Sequence, residues 1–269
     1  MLSRNLKNIK LITFDCTNTL LYFKNPPEKQ YLITAAENGF HKEDFNPDLM
    51  KKSFRKYFKD LNKEYPNFGT STIGYLKWWE KVKSGMSSVL YPYNSISIFQ
   101  LVCNVFISST SVDLDQVKLN NIASILINIY KTKECWEKFE KSNDLLTELK
   151  NSGKIVGVIS NFDPRLKDLL NDMELKSFDF ILTSYEAGVE KPNPKIFDLA
   201  LYETKKINTN EVILPHECLH IGNELVKDYQ GARNVGWKSV LINSDSHIHP
   251  QFKDIKEFYD ALRKGPIDL

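Results

Sequence analysis

The sequence predicts an α/β protein in which a doubly wound parallel sheet carries a helical insertion. The first observation is that short apolar segments of strand character alternate with helical segments, the strands being residues 9–14, 155–159, 178–182, 218–221 and 239–242. Such alternation implies parallel strands joined by right-handed crossovers. The second observation is that residues 23–138 show helical periodicity alone. We therefore predict a core formed by residues 1–22 and 139–269, and a helical cap formed by residues 23–138.

The first strand, residues 9–14, places a carboxylate where its apolar run stops. The run is rich in β-branched and aromatic residues and lacks clean alternation, which is typical of a strand buried on both faces. Ligands of open parallel sheets bind just beyond the carboxyl ends of the strands, so Asp15 is the candidate chemical centre. On this segment alone, an Asp that merely caps a turn is an equally good interpretation.

The insertion consists of predicted helices. They cover residues 28–36, 48–61, 75–79, 94–109 and 117–130. Trp78 and Trp79 are predicted to pack in the core rather than to contact a substrate. Because the insertion directly follows the loop that holds Asp15, we expect it to act as a lid over the carboxyl ends of the strands.

Start signals mark the helices of the C-terminal half. Ser142 is a predicted N-cap, and the helix that follows it ends at Ser152 and Gly153. Asp163 and Asn193 each precede a proline, which is the pattern of an N-cap followed by Pro at the first helical position. Two further helices are predicted at residues 224–235 and 252–262.

The composition excludes several classes of protein. With 269 residues, 42% hydrophobic and 26% charged, the chain can bury a proper core in one large or two modest domains. Thirty-six Lys and Arg against 34 Asp and Glu leave a net charge of +2, so neither nucleic acid nor a membrane surface is predicted as a partner. Residues 1–10 lack the apolar segment of a secretory signal and no stretch of 18 or more apolar residues occurs, so we expect neither secretion nor a membrane span.

Cysteine and histidine usage gives no metal or disulfide pattern. The four cysteines are widely separated, without ligand spacing, so we expect a reduced, intracellular chain, in the cytoplasm or the nucleus. Cys16 is interpreted as a packing residue and His220 as an ordinary strand residue. His247 and His249 are interpreted as residues of a surface loop.

Polar residues follow the predicted strands at positions that should converge near Asp15. Ser160 and Asn161 follow the second strand, Asn223 follows the fourth, and Lys191 and Asp228 lie on the connecting segments. Together they offer a carboxylate nucleophile, donors for anionic oxygens, a cation, and oxygen ligands for a hard divalent metal. This set suits phosphoryl transfer.

These residues resemble the four ordered motifs of the haloacid dehalogenase superfamily of hydrolases. The motifs are residues 14–20, 159–161, 191–194 and 222–228, and the helical insertion after the first motif also matches. The resemblance implies a Rossmann-type core and a small phosphorylated substrate. It also implies an aspartyl phosphate on Asp15. The implied Mg²⁺ ligands are Asp15, the Thr17 carbonyl, Asn223 and Asp228, and the implied phosphate-binding residues are Thr19, Ser160, Asn161 and Lys191.

Two positions depart from the pattern of the family's phosphatases. Thr17 stands where a second Asp protonates the leaving group and activates water. Because a Thr hydroxyl is a poor acid or base, the rate acceleration at stake is roughly 10²–10⁴-fold. Asn223 stands where relatives usually carry an anionic metal ligand, which should weaken the Mg²⁺ site. We therefore expect slow turnover.

Three functions remain open at this point. The first is a slow Mg²⁺-dependent phosphatase with Asp15, Thr17 and Lys191 as its catalytic residues. The second is a weakened or inactive binding protein of the same fold. The third is a metal-independent 2-haloacid dehalogenase, in which an Asn in the fourth motif is tolerated, although those enzymes carry Tyr where this chain has Thr17. The sequence predicts no particular oligomeric state.

Overall fold

The computed structural model describes residues 6–79, 97–208, 211–243 and 250–269. The chain divides into two compact units, Met1–Tyr22 with Glu137–Leu269, and Phe23–Trp136. The sequence-based division differs from it only in assigning residues 137 and 138 to the insertion. Residues 94–96 of a predicted helix, and the predicted surface residues His247 and His249, lie outside the described residues.

The first unit contains a parallel sheet. Within the described residues it has six strands, which are β1 Leu11–Phe14, β4 Ile155–Ser160, β5 Phe180–Thr183, β6 Cys218–Gly222, β7 Lys238–Ile242 and β8 Gln251–Phe252. They stand in the order β5-β4-β1-β6-β7-β8. The strand β1 pairs with both β4 and β6, so that Phe14 lies opposite Val158 on one side and Ile221 on the other. The strand order reverses direction at β1, which confirms the doubly wound α/β fold.

The central strand has the burial that its composition predicts. Leu11, Ile12, Thr13 and Phe14 are all fully buried. Apolar side chains on both faces of β1 remove water from the two faces of the sheet, which is the main favourable contribution to folding of a parallel sheet. The residue after the strand, Asp15, therefore emerges from the middle of the core.

The helices of this unit cover the sheet. Those described are α7 Ser142–Asn151, α8 Leu166–Asp172, α9 Ser184–Ala187, α10 Pro194–Ile207, α11 Gly231–Asn234 and α12 Ile255–Lys264, with a 3₁₀ turn at Pro215–Glu217 and a π-helical turn at Leu225–Gln230. The predicted cap at Asn193 is confirmed, because its side chain accepts a hydrogen bond from the Lys195 N–H at 3.0 Å.

Two predicted helix starts are wrong. Ser142 is the first residue of α7 and not its cap, since its hydroxyl lies 3.4 Å from the Leu20 carbonyl oxygen. Asp163 precedes α8 by three residues, because its carboxylate accepts hydrogen bonds from the backbone and guanidinium of Arg165 and so holds a turn before the helix.

Two predicted helices are shorter or of another type. Phe252 belongs to β8, where it pairs with Ile242, and the last helix begins only after Asp254, which caps it. The predicted helix at 224–235 is a π-helical turn followed by one α-helical turn. The Glu224 carbonyl there accepts from both the Asp228 N–H at 2.9 Å and the Tyr229 N–H at 3.3 Å, which widens the turn.

The second unit is helical. Its described helices are α1 Pro27–Glu37, α2 Pro47–Glu64, α3 Pro66–Gly69, α4 Gly74–Trp79, α5 Ile98–Ile107 and α6 Gln116–Ile129, with a 3₁₀ turn at Lys42–Asp44. Trp78 is fully buried in the core of this unit and Trp79 packs against that core, as predicted. A two-stranded sheet of β2 Leu21–Phe23 and β3 Trp136–Lys138 lies where the chain enters and leaves the insertion.

All four cysteines, Cys16, Cys103, Cys135 and Cys218, are buried free thiols.

Within the described ranges, no helix combines the length and the apolar character that crossing a bilayer requires.

Candidate active site

Asp15 stands at the carboxyl end of the central strand and begins a tight loop. Its backbone N–H donates to the Ile221 carbonyl at 2.8 Å, which continues the pairing of β1 with β6 by one residue. The chain then turns back, with the Leu20 and Leu21 N–H groups donating to the Cys16 carbonyl at 2.9 and 3.0 Å. The Asp15 residue is 8% exposed and therefore buried.

The ammonium group of Lys191 joins two of the predicted site residues. Its Nζ lies 2.7 Å from an Asp15 carboxylate oxygen and 2.7 Å from an Asp228 carboxylate oxygen. It also donates to the Ile159 carbonyl at 2.7 Å, so all three of its protons have acceptors. Lys191 is 2% exposed, and burial of an ammonium group is tolerable only with such compensation.

Asn161 holds the backbone of Lys191 in place. Its side-chain amide donates to the Lys191 carbonyl at 3.0 Å, and its carbonyl oxygen accepts from the Lys191 N–H at 2.8 Å. This pair of bonds is a structural reason for an Asn directly after β4, and no local sequence pattern indicates it. The predicted role of Asn161 was at the phosphate, through its backbone.

Asp228 projects from the π-helical turn toward the sheet and is 2% exposed. One of its carboxylate oxygens accepts from Lys191, and the other accepts from the Glu224 N–H at 2.8 Å. The residue opposite it must be glycine, since a Cβ on Gly222 would lie 2.3 Å from Asp228 Cγ. The combination of Gly222 and the wide turn therefore brings Asp228 to Lys191.

His220 is a site residue that sequence reasoning missed. It lies on β6 and is fully buried, with Nε2 3.2 Å from the Asp228 oxygen that Lys191 contacts, and Nδ1 2.8 Å from the Thr13 hydroxyl. The one available signal was a polar side chain within an otherwise apolar strand. Its two partners are 8 and 207 residues away in sequence, so no local pattern could identify them.

The buried group carries an excess of negative charge. With both carboxylates ionised, Asp15, Asp228 and Lys191 together have a charge of −1. Burial raises the pKa of Asp15 to about 6, a change that Lys191 opposes and Asp228 reinforces. Burial also opposes ionisation of Asp228, but Lys191 and the hydrogen bond from His220 hold its pKa well below the usual range.

The register of the sheet shows where the other predicted residues lie. Because Phe14 is level with Val158 and Ile221, Asp15 is level with Ile159 and Gly222. Ser160, the last residue of β4, and Asn223, the residue directly after β6, thus stand one position beyond Asp15 on either side of it. They occupy the same edge of the sheet.

The two threonines of the Asp15 loop differ in their surroundings. Thr17 is half-buried and forms a backbone bridge with Leu21. Thr19 is fully buried, and its hydroxyl has no hydrogen-bond partner within the described ranges. A buried hydroxyl without an acceptor is costly unless a ligand oxygen or a water receives its proton.

The oxygen ligands at this edge fit a hard cation better than a soft one. Among the described residues, no three or more His, Cys, Asp or Glu side chains are grouped to hold a metal ion. What the site offers is the Asp15 carboxylate, neutral oxygens at Thr17 and Asn223, and the charge of −1 described above. Mg²⁺ uses one or two carboxylates together with water and phosphate oxygens, so this oxygen set suits a weak Mg²⁺ site.

A comparison with a family model and a comparison with known sequences point to the same family. Residues 9–236 match the model of the haloacid dehalogenase-like hydrolases. Over 254 residues, 91% of this chain and 87% of the other, the sequence is 35% identical to the rhythmically expressed gene 2 protein of Drosophila melanogaster.

Solved structures of the same fold include enzymes of two chemistries. A phosphatase of the superfamily from Thermococcus onnurineus superposes with a TM-score of 0.53 at 17% identity, covering 96% of this chain and 100% of its own. A 2-haloacid dehalogenase from Pseudomonas syringae superposes with a TM-score of 0.56 at 18% identity, covering 95% and 99%. At such identities the likeness concerns the fold alone.

Proposed function

The chain belongs to the haloacid dehalogenase-like hydrolases, and on this basis we propose that it is a slow phosphatase acting on a small phosphorylated substrate. The observation that carries the proposal is the position of Lys191 Nζ, 2.7 Å from both Asp15 and Asp228. A lysine held there keeps the carboxylate of Asp15 in place and offsets negative charge where an anionic phosphate must approach another anion.

The reaction begins with attack of an Asp15 carboxylate oxygen on phosphorus. The new oxygen–phosphorus bond forms as the bond to the leaving alkoxide breaks, which gives an aspartyl phosphate and an alcohol once the leaving oxygen receives a proton from water. Water then attacks the phosphorus, releasing inorganic phosphate and restoring the Asp15 carboxylate. In this scheme the Ser160 hydroxyl and the Asn161 N–H hold the transferring oxygens. The Thr19 hydroxyl, which lacks a partner within the described ranges, supports the same role.

The proposed cofactor is Mg²⁺, held by Asp15, the Thr17 carbonyl, Asn223 and Asp228. When bound, it would supply positive charge beside the phosphate. Asn223 contributes only a neutral oxygen, and both Asp228 oxygens already accept hydrogen bonds from the protein. We therefore expect weak Mg²⁺ binding.

Thr17 is the reason to propose slow turnover. A carboxylate at this position would supply the proton for the leaving group and later activate the water. A hydroxyl near its ordinary acidity does neither well, so both steps depend on solvent. The second step should suffer more, because the aspartyl phosphate must wait for an unassisted water.

A second candidate function is a binding protein of the same fold without catalysis. The replacement of acidic residues by neutral ones at Thr17 and Asn223 favours it. A dehalogenase is the third candidate, and the fold shared with a 2-haloacid dehalogenase supports it no more than it supports a phosphatase.

The test is phosphate release from p-nitrophenyl phosphate and from acetyl phosphate, with and without Mg²⁺. The control is Asp15→Asn, and beryllium fluoride provides a second assay because it traps a nucleophilic aspartate as an analogue of the acyl phosphate. Release that needs both Mg²⁺ and Asp15 supports the phosphatase. Absence of release and of trapping favours the binding protein, and halide release from a 2-haloacid favours the dehalogenase.

A further inference from the structure

Three side chains form a buried line that starts beneath the active site and ends at it. The Thr13 hydroxyl lies 2.8 Å from His220 Nδ1, and His220 Nε2 lies 3.2 Å from the Asp228 carboxylate. Thr13 and His220 are fully buried, and Asp228 is 2% exposed. The scheme above assigns no role to Thr13 or His220.

The positions of the three groups indicate the direction of both hydrogen bonds. An ionised carboxylate only accepts, so His220 Nε2 carries a proton and donates a hydrogen bond to Asp228. In the imidazole tautomer with its proton at Nε2, Nδ1 has a lone pair, and the Thr13 hydroxyl, 2.8 Å away, is the group placed to donate to it. Asp228 selects the tautomer, and Thr13 holds the ring in the plane that reaches Asp228.

The contact of His220 affects the position of Lys191 because both side chains bind the same carboxylate oxygen of Asp228. The Glu224 N–H fixes the other oxygen, so the carboxylate is held at both ends. Without the donor at His220, the shared oxygen is free to shift along the contact with Lys191. The ammonium group would then follow it away from Asp15, since both contacts are made by the same Nζ.

We propose that His220 is a positioning residue: oriented by Thr13, its Nε2–H fixes the Asp228 carboxylate and thereby the placement of Lys191 Nζ against Asp15. This inference deepens the proposed function, and its catalytic consequence rests on that function.

The first test does not need activity. In protein with ¹⁵N-labelled histidine, long-range proton–nitrogen spectra at pH 7.5 should show His220 protonated at Nε2 alone, with its signal assigned by its loss in His220→Gln. A His220 signal protonated at Nδ1 would overturn the proposal. Crystal structures of Thr13→Val and Thr13→Ser then report the distance from Nε2 to Asp228. We expect it to exceed about 3.5 Å in the valine variant only, and an unchanged distance there also overturns the proposal.

The second test uses two substitutions whose effects rank differently under the two explanations. Thr13→Val keeps the volume and removes the hydroxyl, whereas Thr13→Ser keeps the hydroxyl and leaves a cavity. If packing is what matters, serine is the worse variant. If positioning is what matters, valine lowers kcat on the order of 10- to 100-fold with little change in KM, and serine restores most of it.

A matched control uses Thr204, whose buried hydroxyl donates to the Leu201 carbonyl at 2.7 Å on α10, outside this line. Thr204→Val should leave kcat unchanged. Equal losses of kcat in Thr13→Val and Thr204→Val would overturn the proposal. If the wild type releases no phosphate through Asp15, the proposed function fails, and the spectra and crystal structures still decide whether His220 positions Asp228.

Discussion

Lys191 Nζ lies 2.7 Å from Asp15 and 2.7 Å from Asp228, so a single ammonium group is shared by two carboxylates that are 213 residues apart in the chain. With both carboxylates ionised, these three buried groups carry a net charge of −1. We expect this charge to destabilise the fold, as sites prepared for a charged ligand commonly do.

Asp15→Asn should abolish phosphate release and stabilise the metal-free protein at pH 7.5. The substitution leaves Lys191 and Asp228 as a neutral pair, and we expect the melting temperature to rise by about 2–4 °C, which corresponds to roughly 1 kcal/mol for a chain of this size. The gain should depend on pH. The folded pKa of Asp15, about 6, lies above its ordinary value of 3.8, so the native state gains a proton first as the pH falls. The difference in melting temperature between Asp15→Asn and the wild type should be largest above pH 6 and vanish near pH 4. A difference in melting temperature that stays constant between pH 4 and 8 would contradict this prediction.

Lys191→Met should destabilise the protein more than ordinary core substitutions do. It leaves two buried carboxylates without their cation, and breaking a buried pair in this way costs roughly 3–5 kcal/mol. Urea unfolding at pH 7.5 measures the loss, and the double variant Lys191→Met/Asp228→Asn should recover part of it because one of the stranded charges is removed. A double variant no more stable than Lys191→Met would show that the two residues do not act as a pair.

Gly222→Ala should impair both stability and activity. Its Cβ would lie 2.3 Å from Asp228 Cγ, so Asp228 must move away from Lys191, at a cost of roughly 1–3 kcal/mol. Gly265→Ala is the matched control, since apart from its chain neighbours no heavy atom of the described residues lies within 4 Å of the Cβ position there, and its φ is 178°. Thermal unfolding and phosphate release of the two variants make the comparison. Equal effects at both positions would refute the close approach of Asp228 to Gly222.

Thr17→Asp should raise turnover if the missing acid and base are what slow the reaction. The expected increase in kcat is roughly 10²-fold, the lower end of what general acid–base catalysis contributes. Thr17→Asn, which has a similar size and no acidic proton, is the control and should leave kcat near that of the wild type. Single-turnover measurements with acetyl phosphate should place the gain in the hydrolysis of the aspartyl phosphate. An unchanged kcat in Thr17→Asp would remove the explanation given for slow turnover.

Asn223→Asp should tighten Mg²⁺ binding roughly tenfold by adding an anionic ligand. Titration calorimetry with MgCl₂ measures the affinity directly. Asn171→Asp, an exposed position on α8, makes the same change of charge away from the site and controls for a general electrostatic effect. An identical gain in both variants would argue against a metal site at Asn223.

Much of this protein could be predicted from its sequence because the decisive signals are local. The alternation of apolar strands with capped helices gives a parallel α/β sheet, and Asp15 stands at the end of a strand whose composition marks it as central. Asn193 caps its helix as its proline neighbour predicts. Local patterns predicted a helix cap wrongly where the side chain had another hydrogen-bond partner. Ser142 is the example, because its hydroxyl contacts the Leu20 carbonyl instead of capping α7.

Sequence patterns alone were enough to predict the fold class, the residue at the end of the central strand and the family. Three contacts became visible only in the folded protein: Lys191 is shared by Asp15 and Asp228, Asn161 holds the backbone of Lys191, and His220 connects Thr13 to the site. The difference follows from the range of the interactions. Propensity and capping act over a few residues, whereas a buried polar group must find its partner wherever the sheet order places one, and that partner can lie anywhere in the chain.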